Sequence, residues 1–202
     1  MDVIELFAKG GLVMYLLLLS SIAVFALGIE RLLFYHYADN GSDKFLDELY
    51  AKLKVQDKSK IADFCHNEKS LADNVAFAGV FDAINNENVE IALDIAYSEA
   101  AMKLRARLNY LSMIVTLAPL LGLLGTIAGM IESFNIFSIK AGQPLAITGG
   151  IGEALIATAT GLCVAIFALI VHTYLAQKLD EMLSKLEKTA SIVLGNFSRK
   201  VN

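Results

Sequence analysis

The chain has little proline, cysteine or histidine. Only two prolines occur among 202 residues, and 56% of the residues are hydrophobic. This composition suits an all-helical membrane protein better than a soluble domain. The two cysteines and three histidines are scattered, with no metal-ligand spacing: Cys65, Cys163, His36, His66 and His172. We therefore predict no disulfide, no metal site and no cofactor.

Motifs of enzymes are also missing from the sequence. There is no Gly-x-Ser-x-Gly, no His-Glu-x-x-His and no phosphate-binding glycine loop. These patterns place nucleophiles, metal ligands or phosphate-binding backbone groups in many hydrolases and nucleotide-binding enzymes. We predict neither an enzymatic activity nor a nucleic-acid partner.

Three apolar stretches are long enough to cross a bilayer, which takes about 20 residues of helix. They cover residues 12–33, 111–131 and 151–176. We predict an all-α integral membrane protein with three transmembrane helices in a single domain over residues 1–202. Residues 34–108 are then a helical loop, and residues 177–202 a helical tail.

Basic residues predict how the chain is oriented. All of the 17 Lys and Arg except Lys9 and Lys140 lie in residues 31–107 and 178–200. Basic residues close to span ends favour the cytoplasmic side. We expect the loop and the tail in the cytoplasm and the N-terminus outside. The N-terminus lacks the basic start and cleavage site of a signal peptide, so the first span is expected to remain as an anchor.

Long helices are expected to continue beyond the spans. No glycine or proline occurs between Glu87 and Pro119, so a single helix is predicted to run from the loop into the second span. Ile91, Ile95 and Met102 recur on one side of that helix. The third span is likewise expected to continue as helix into the tail.

The second span carries residues that a simple lipid anchor would not need. Gly122, Gly125 and Gly129 let another backbone approach closely, and Pro119 lies among them. Thr126 places a hydroxyl group where lipid does not favour one. These residues predict contact with protein or with a pore, and hence transport.

Two threonines are expected at the same membrane depth. Thr126 and Thr158 are equally far in sequence from Gly142, the expected tip of an external hairpin. Small residues accompany them on one helical stripe of each span: Ala118, Gly122, Gly129 and Ser133; Ala154, Gly161, Ala165 and Ala168. Such faces predict tight packing or a polar lining shared with another helix. Alternatively, each threonine only bonds the carbonyl four residues earlier in its own helix.

Two glutamates lie at the edges of the spans. An ionisable group within a span is functional by default, which favours a role in the ion pathway for Glu153. Glu132 is expected at nearly the same depth, and both side chains could instead reach the lipid headgroups. No Asp, Lys or Arg occurs in the central part of any span. If ions cross the membrane here, another subunit must supply the ionisable group.

The segments from Ala118 to Phe134 and from Gly150 to Leu162 resemble the two signature spans of the MotA/TolQ/ExbB proton-channel family. Three spans favour the ExbB/TolQ branch, because MotA-type subunits have four. The resemblance implies a homopentamer in the lipids of the bacterial inner membrane, with a pore lined by the second and third spans. It also implies an ExbD- or TolR-like single-span partner that supplies an intramembrane aspartate, and a TonB- or TolA-like protein.

By motif position, the resemblance makes Thr126 and Thr158 pore-lining hydroxyls and Glu153 the acid of the third span. The chain departs from the pattern at Ala128, where many relatives have tryptophan, and at 166–168, where they have Ile-Pro-Ala. Thr160 is an additional hydroxyl, and we hypothesise that it alters ion choice.

The resemblance implies an ExbB-like subunit that couples the proton motive force to TonB-dependent import across the outer membrane. A TolQ-like subunit of the Tol-Pal envelope system is the nearest alternative, and a MotA-like flagellar role ranks third. A hypothesis of another class is a non-conducting membrane scaffold whose small-residue stripes only pack helices.

Overall fold

The computed structural model describes residues 11–55, 58–67, 70–85, 88–139 and 144–197. These residues form seven helices, and no strand occurs among them. The helices are α1 Gly11–Ala38, α2 Ser42–Val55, α3 Lys58–Asn67, α4 Leu71–Asn85, α5 Val89–Arg105, α6 Leu108–Ile139 and α7 Pro144–Phe197.

Three of the helices, α1, α6 and α7, contain segments long and apolar enough to cross a membrane. A helix satisfies its own backbone hydrogen bonds, which is what a segment surrounded by hydrocarbon requires. The chain is an all-α integral membrane protein with three spans, and the predicted fold class is confirmed.

The predicted continuous helix between Glu87 and Pro119 is wrong. Helix α5 ends at Arg105 and α6 begins at Leu108, with a turn at Ala106 and Arg107 between them. Arg107 has a φ of 66°, the left-handed region that a side chain other than glycine seldom adopts. Because the turn uses neither glycine nor proline, no local sequence signal indicates it.

The predicted extension of the third span is confirmed. Helix α7 runs without interruption for 54 residues and begins at Pro144. The first turn of a helix tolerates proline because its missing N–H would have no partner there.

Contacts divide the chain into two compact units. The span unit comprises Met1–Ile29 and Arg107–Tyr174, and the extension unit comprises Glu30–Ala106 and Leu175–Asn202. Each unit combines segments that are distant in sequence, so no linker separates two consecutive domains.

The extension unit has an aliphatic core formed by α2 to α5 and the last part of α7. Its buried side chains include Leu46, Leu49, Ile61, Val75, Val80, Leu93, Leu104, Leu186 and Val193. At Gly79 in α4, an added methyl group would lie 2.5 Å from Leu93 Cδ2 and 2.9 Å from Val193 Cγ1. Glycine at this position therefore allows α4, α5 and α7 to meet.

The apolar residues that recur along α5 do not mark its buried side. Ile91, Ile95 and Met102 are 57%, 55% and 67% exposed. The core is formed instead by the opposite face, with Leu93 and Leu104.

The end of α5 is bound by polar side chains of α1. Arg31 Nη1 donates to the carbonyl oxygen of Lys103 at 3.2 Å, and Tyr35 Oη donates to that of Leu104 at 2.9 Å. Both side chains are buried. The last carbonyls of a helix have no partner within the helix, so these two bonds satisfy groups that the end of α5 leaves open.

Candidate functional site

Helices α6 and α7 approach closely at two glycines. A methyl group added at Gly161 would lie 2.6 Å from the carbonyl oxygen of Ala118 and 2.9 Å from Gly122 Cα. At Gly122, an added methyl group would lie 3.0 Å from Thr158 Cα. Backbone therefore lies against backbone, an approach that small residues permit in membrane helices.

The same approach continues along the helices at two further glycines. An added methyl group would lie 2.6 Å from Ala157 Cβ at Gly125, and 2.9 Å from Ala154 Cβ at Gly129. As residue numbers rise along α6, their partners on α7 fall, so the two helices are antiparallel. Because Gly125 lies beside Ala157, Thr126 and Thr158 are at similar depth, whereas the expected hairpin tip at Gly142 is outside the described residues.

Helix α1 also packs in the span unit. Val13 Cγ1 is 3.4 Å from the position of a methyl group added at Gly125. The ring centroids of Phe25 and Phe167 are 4.6 Å apart. The apolar run of α1 does not indicate which face makes these contacts, although Gly28 is a signal of a close approach. An added methyl group at Gly28 would lie 3.0 Å from the side chain of Val171.

The hydroxyl of Thr158 connects α7 to α6. Its Oγ1 donates to the carbonyl oxygen of Gly122 at 2.9 Å, so the alternative in which Thr158 bonds its own helix is not observed. Thr126 Oγ1 donates to Leu123 O at 2.7 Å, which is within its own helix but three residues earlier, not four.

The hydroxyl of Thr160 also bonds a carbonyl oxygen of its own helix, α7. Its Oγ1 donates to the carbonyl oxygen of Ile156 at 2.8 Å. Thr126, Thr158 and Thr160 are all half-buried, so each retains some exposure in the single chain.

The small-residue stripes of the two spans pack against each other within one chain. Ala118, Ala154 and Ala168 are buried, at 0%, 4% and 0% exposure. Ser133 is also buried, and its Oγ donates to Gly129 O at 2.7 Å. Of the two uses predicted for these stripes, tight packing is observed for the glycines and alanines. The hydroxyl-bearing Thr126 and Thr158 are half-buried, so both keep surface for contact with another helix.

Three further residues were predicted for the site: Glu132, Pro119 and Glu153. Glu132 is exposed near the end of α6. Pro119 is half-buried inside α6, where its ring nitrogen cannot donate to the carbonyl four residues earlier. Glu153 belongs to α7, but its side chain is outside what the structure describes.

No group of three or more His, Cys, Asp or Glu side chains able to hold a metal ion occurs among the described residues. The helix pair instead offers the half-buried hydroxyls of Thr126, Thr158 and Thr160, which lie on the two helices that make the close backbone contact.

The residues that form this contact lie within a matched family region. A model of the MotA/TolQ/ExbB proton channel family matches residues 66–188. The chain belongs to this family. The MotA/TolQ/ExbB family comprises membrane proton channels and is not a class of enzymes.

Similar members of the family have names from both of its envelope branches. A relative from Synechocystis sp., named as an ExbB-like biopolymer transport protein, is 34% identical over 84% of this chain and 68% of its own length. An ExbB homologue from Methanothermobacter thermautotrophicus is 27% identical over 92% of this chain and 67% of its own length. The Tol-Pal system protein TolQ of Pseudomonas aeruginosa is 32% identical over 57% of this chain and 51% of its own length.

Proposed function

We propose that this chain is an ExbB-like, ion-conducting subunit of an energy-transducing complex in the bacterial inner membrane. It couples the proton motive force to TonB-dependent import across the outer membrane. Its N-terminus is periplasmic and its C-terminus cytoplasmic, as the basic residues near the span ends favour.

The half-buried hydroxyl of Thr158, bonded to Gly122 where α6 and α7 meet, is the observation that carries this proposal. A helix pair that only anchored a protein in lipid would not need a hydroxyl at a close backbone contact. Thr126 lies at similar depth and adds a second hydroxyl. In the proposed assembly these hydroxyls face the pore, and Gly122, Gly125, Gly129 and Gly161 hold the two helices together.

The complex needs a second protein to carry the ion. The middle of each span has no Asp, Glu, Lys or Arg, so this chain alone has no charged side chain at the midplane. We infer that a homo-oligomer, a pentamer by family resemblance, encloses an ExbD-like single-span companion that supplies an aspartate. A TonB-like protein then transmits the resulting movement.

Glu153 has a proposed role in the ion pathway or in coupling to the companion. The hypothesis that Thr160 alters ion choice predicts that Thr160→Val changes the dependence of transport on sodium and protons. An unchanged dependence would remove Thr160 from the ion pathway.

Two alternatives each have an observation in their favour. The TolQ of Pseudomonas aeruginosa is among the relatives, which favours a Tol-Pal role. The small-residue stripes are buried against each other within one chain, which favours a non-conducting scaffold. A gene deletion separates the first alternative from the proposal. Poor growth without free iron supports the ExbB-like role, whereas detergent sensitivity and septum defects support the TolQ-like role.

Proton uptake by vesicles tests the proposal against a scaffold. The tagged chain is purified with its companions, its native mass is measured, and the complex is reconstituted with a pH-sensitive dye inside. We expect Thr158→Val and Glu153→Gln to assemble but to lose proton uptake by about tenfold or more, equivalent to about 1.4 kcal/mol of barrier.

Thr116→Val is the matched control, because Thr116 also lies on α6 and its Oγ1 donates to Met113 O at 2.9 Å. Thr116 is exposed and its hydroxyl bonds within α6, so its removal should leave uptake unchanged. Full uptake by Thr158→Val and Glu153→Gln complexes would favour the scaffold.

A further inference from the structure

A groove lies between α5 and the last part of α7 in the extension unit. Its volume is about 330 Å³, and its walls include the apolar side chains of Leu93 and Leu194. Three carboxylates also line it: Glu90, Asp94 and Glu187. Pockets that hold small ligands begin at about 300 Å³, so the groove has room for side chains of a partner but not for a whole helix.

The charges of this groove are not balanced within the chain. Glu90 and Asp94 are four residues apart on α5, a spacing at which like charges repel each other. No lysine or arginine of the described part of the chain lines the groove, and none of its three carboxylates forms an ion pair there. A cationic occupant would therefore be favoured.

The same unit has a basic surface at the end of α2. Residues 51–60 contain four lysines and one aspartate. Lys54 Nζ lies 4.0 Å from the centroid of the Tyr50 ring, and Tyr50 is 49% exposed. Lys52 Nζ lies 3.9 Å from the centroid of the Phe64 ring. We call Tyr50, Lys52 and Lys54 the basic patch.

The basic patch has the chemistry of an anchor for a protein interface. An exposed tyrosine with a cation over its ring offers both apolar area and charge, a combination that interfaces favour. Neither Lys52 nor Lys54 forms a salt bridge with a carboxylate of the described residues. Helix α4 packs against both α2 and α5, and the patch is not part of the wall of the groove in its own copy.

We propose that the basic patch of one copy docks into the acidic groove of a neighbouring copy. This inference rests on the proposed function, because it requires the homo-oligomer, and it deepens that function by naming a contact between its subunits. Each copy uses its patch toward one neighbour and its groove toward the other, so the contact is of the type that closes a ring. Ile91 and Ile95, which are exposed on α5 beside Asp94, extend the docking surface.

Zero-length cross-linking of the purified complex tests this contact. A water-soluble carbodiimide joins a lysine amine to a carboxylate that touches it, with loss of water. A bond between two copies doubles the mass on a denaturing gel, whereas a bond within one copy does not. We expect a covalent dimer in which mass spectrometry joins Lys52 or Lys54 to a carboxylate of the groove. Lys178 and Glu181, 2.7 Å apart in one chain, serve as the internal control for the reagent.

Reversed charges show whether the contact depends on complementarity. Lys52→Glu with Lys54→Glu, or Asp94→Lys with Glu187→Lys, should lower the dimer yield at least about fivefold, because like charges then meet. All four substitutions together exchange the two signs and should restore the yield to within about twofold of the native value. Lys44→Glu, the same change in the first turn of α2, is the matched control and should leave the yield unchanged.

Two results would overturn the inference. One is a native-mass oligomer whose dimer yield does not respond to either reversal or does not recover when both are combined. The other is a groove whose carboxylates are cross-linked only to the companion protein, since its occupant would then be a basic segment of that protein. A chain that forms no homo-oligomer at all would overturn the proposed function itself, and native mass distinguishes this outcome from the other two.

Discussion

Tyr35 Oη donates a 2.9 Å hydrogen bond to the carbonyl oxygen of Leu104, although the two residues are 69 positions apart in the sequence. Both residues are buried, at 1% and 0% exposure. The bond satisfies a carbonyl in the last turn of α5, next to the turn at which the predicted continuous helix is interrupted. It therefore connects helix α1 to the end of α5 within the extension unit.

Removing this hydroxyl should destabilise the extension unit. We expect Tyr35→Phe to lower the free energy of unfolding by about 1–2 kcal/mol, because the Leu104 carbonyl loses a partner where water cannot replace it. Thermal unfolding of the detergent-solubilised protein measures the change. Tyr37→Phe is the matched control, since Tyr37 is 66% exposed and should have little effect. Equal melting temperatures for the two variants would contradict the assigned importance of the bond.

Gly161→Ala should disturb the span unit. The added methyl group would lie 2.6 Å from the carbonyl oxygen of Ala118, which is backbone and cannot move aside without shifting α6. We expect a loss of about 1–3 kcal/mol, typical of overpacking. Gly152→Ala is the control on the same helix, because no atom of the described part of the chain lies within 4 Å of its added methyl group. The control should be neutral or stabilising by up to about 1 kcal/mol through helix propensity. If both variants melt at the same temperature, the close approach of α6 and α7 is not limiting for stability.

Lys185 forms salt bridges with two carboxylates of the extension unit. Its Nζ lies 2.9 Å from Asp39 Oδ1 and 3.0 Å from Asp43 Oδ1. Burial alone would lower the pKa of Lys185, but hydrogen bonds to Asp39 and Asp43 outweigh it and raise this pKa. Lys185→Met should cost about 1–2 kcal/mol, because the half-buried Asp39 carboxylate loses its charged partner.

Lys178→Met provides the comparison for Lys185. Lys178 Nζ is 2.7 Å from Glu181 Oε2, but the Glu181 side chain is 60% exposed. An exposed pair is worth about 0–1 kcal/mol, so this variant should melt close to the native protein. A larger loss at Lys178 than at Lys185 would contradict the ranking by burial.

Asp73 makes the extension unit sensitive to pH. Burial raises the pKa of the Asp73 carboxyl above its ordinary value, although hydrogen bonding by the side chain and the backbone N–H of Ser70 acts in the opposite direction. Among the described residues, its Oδ1 has no hydrogen-bond partner. A raised pKa means that the folded state binds the proton more tightly, so stability is lost as the pH rises through the folded-state pKa.

Comparison with Asp73→Asn isolates this effect. The amide oxygen of asparagine can still accept from the Ser70 N–H, and the side chain carries no charge at any pH. As the pH rises above about 4, the ordinary pKa of an aspartate, we expect the melting temperature of the native protein to fall relative to that of Asp73→Asn. Asp82→Asn, the same chemical change on the same helix, controls for nonspecific effects of charge. A difference between native and Asp73→Asn protein that does not vary with pH would contradict the prediction.

Much of the architecture was predictable from local patterns. Apolar stretches of membrane length predicted the three spans, and the absence of breakers after Ala176 predicted the continuous helix α7. Glycines at Gly122 and Gly161 predicted a close helix contact, and the equal distances of Thr126 and Thr158 from Gly142 predicted their similar depth. Each of these signals depends on residue size, hydropathy or spacing along a single segment.

Other features depended on contacts between distant segments. The turn at Arg107 has no glycine or proline to indicate it, and its neighbouring carbonyls are satisfied by side chains of α1. Ile91, Ile95 and Met102 have helical spacing, yet burial of α5 was decided by the neighbours of Leu93. Periodicity identifies an apolar stripe, but it does not identify which stripe of a helix has a partner.

By itself, the sequence determined the number of spans and the positions at which two backbones come close, because hydrophobic length and missing side chains are properties of the residues themselves. The tertiary structure decided that Thr158 donates to Gly122 on the neighbouring helix whereas Thr126 and Thr160 donate within their own. A hydroxyl can bond to any carbonyl oxygen within reach, and only the packing of α6 against α7 places Gly122 within 2.9 Å of Thr158.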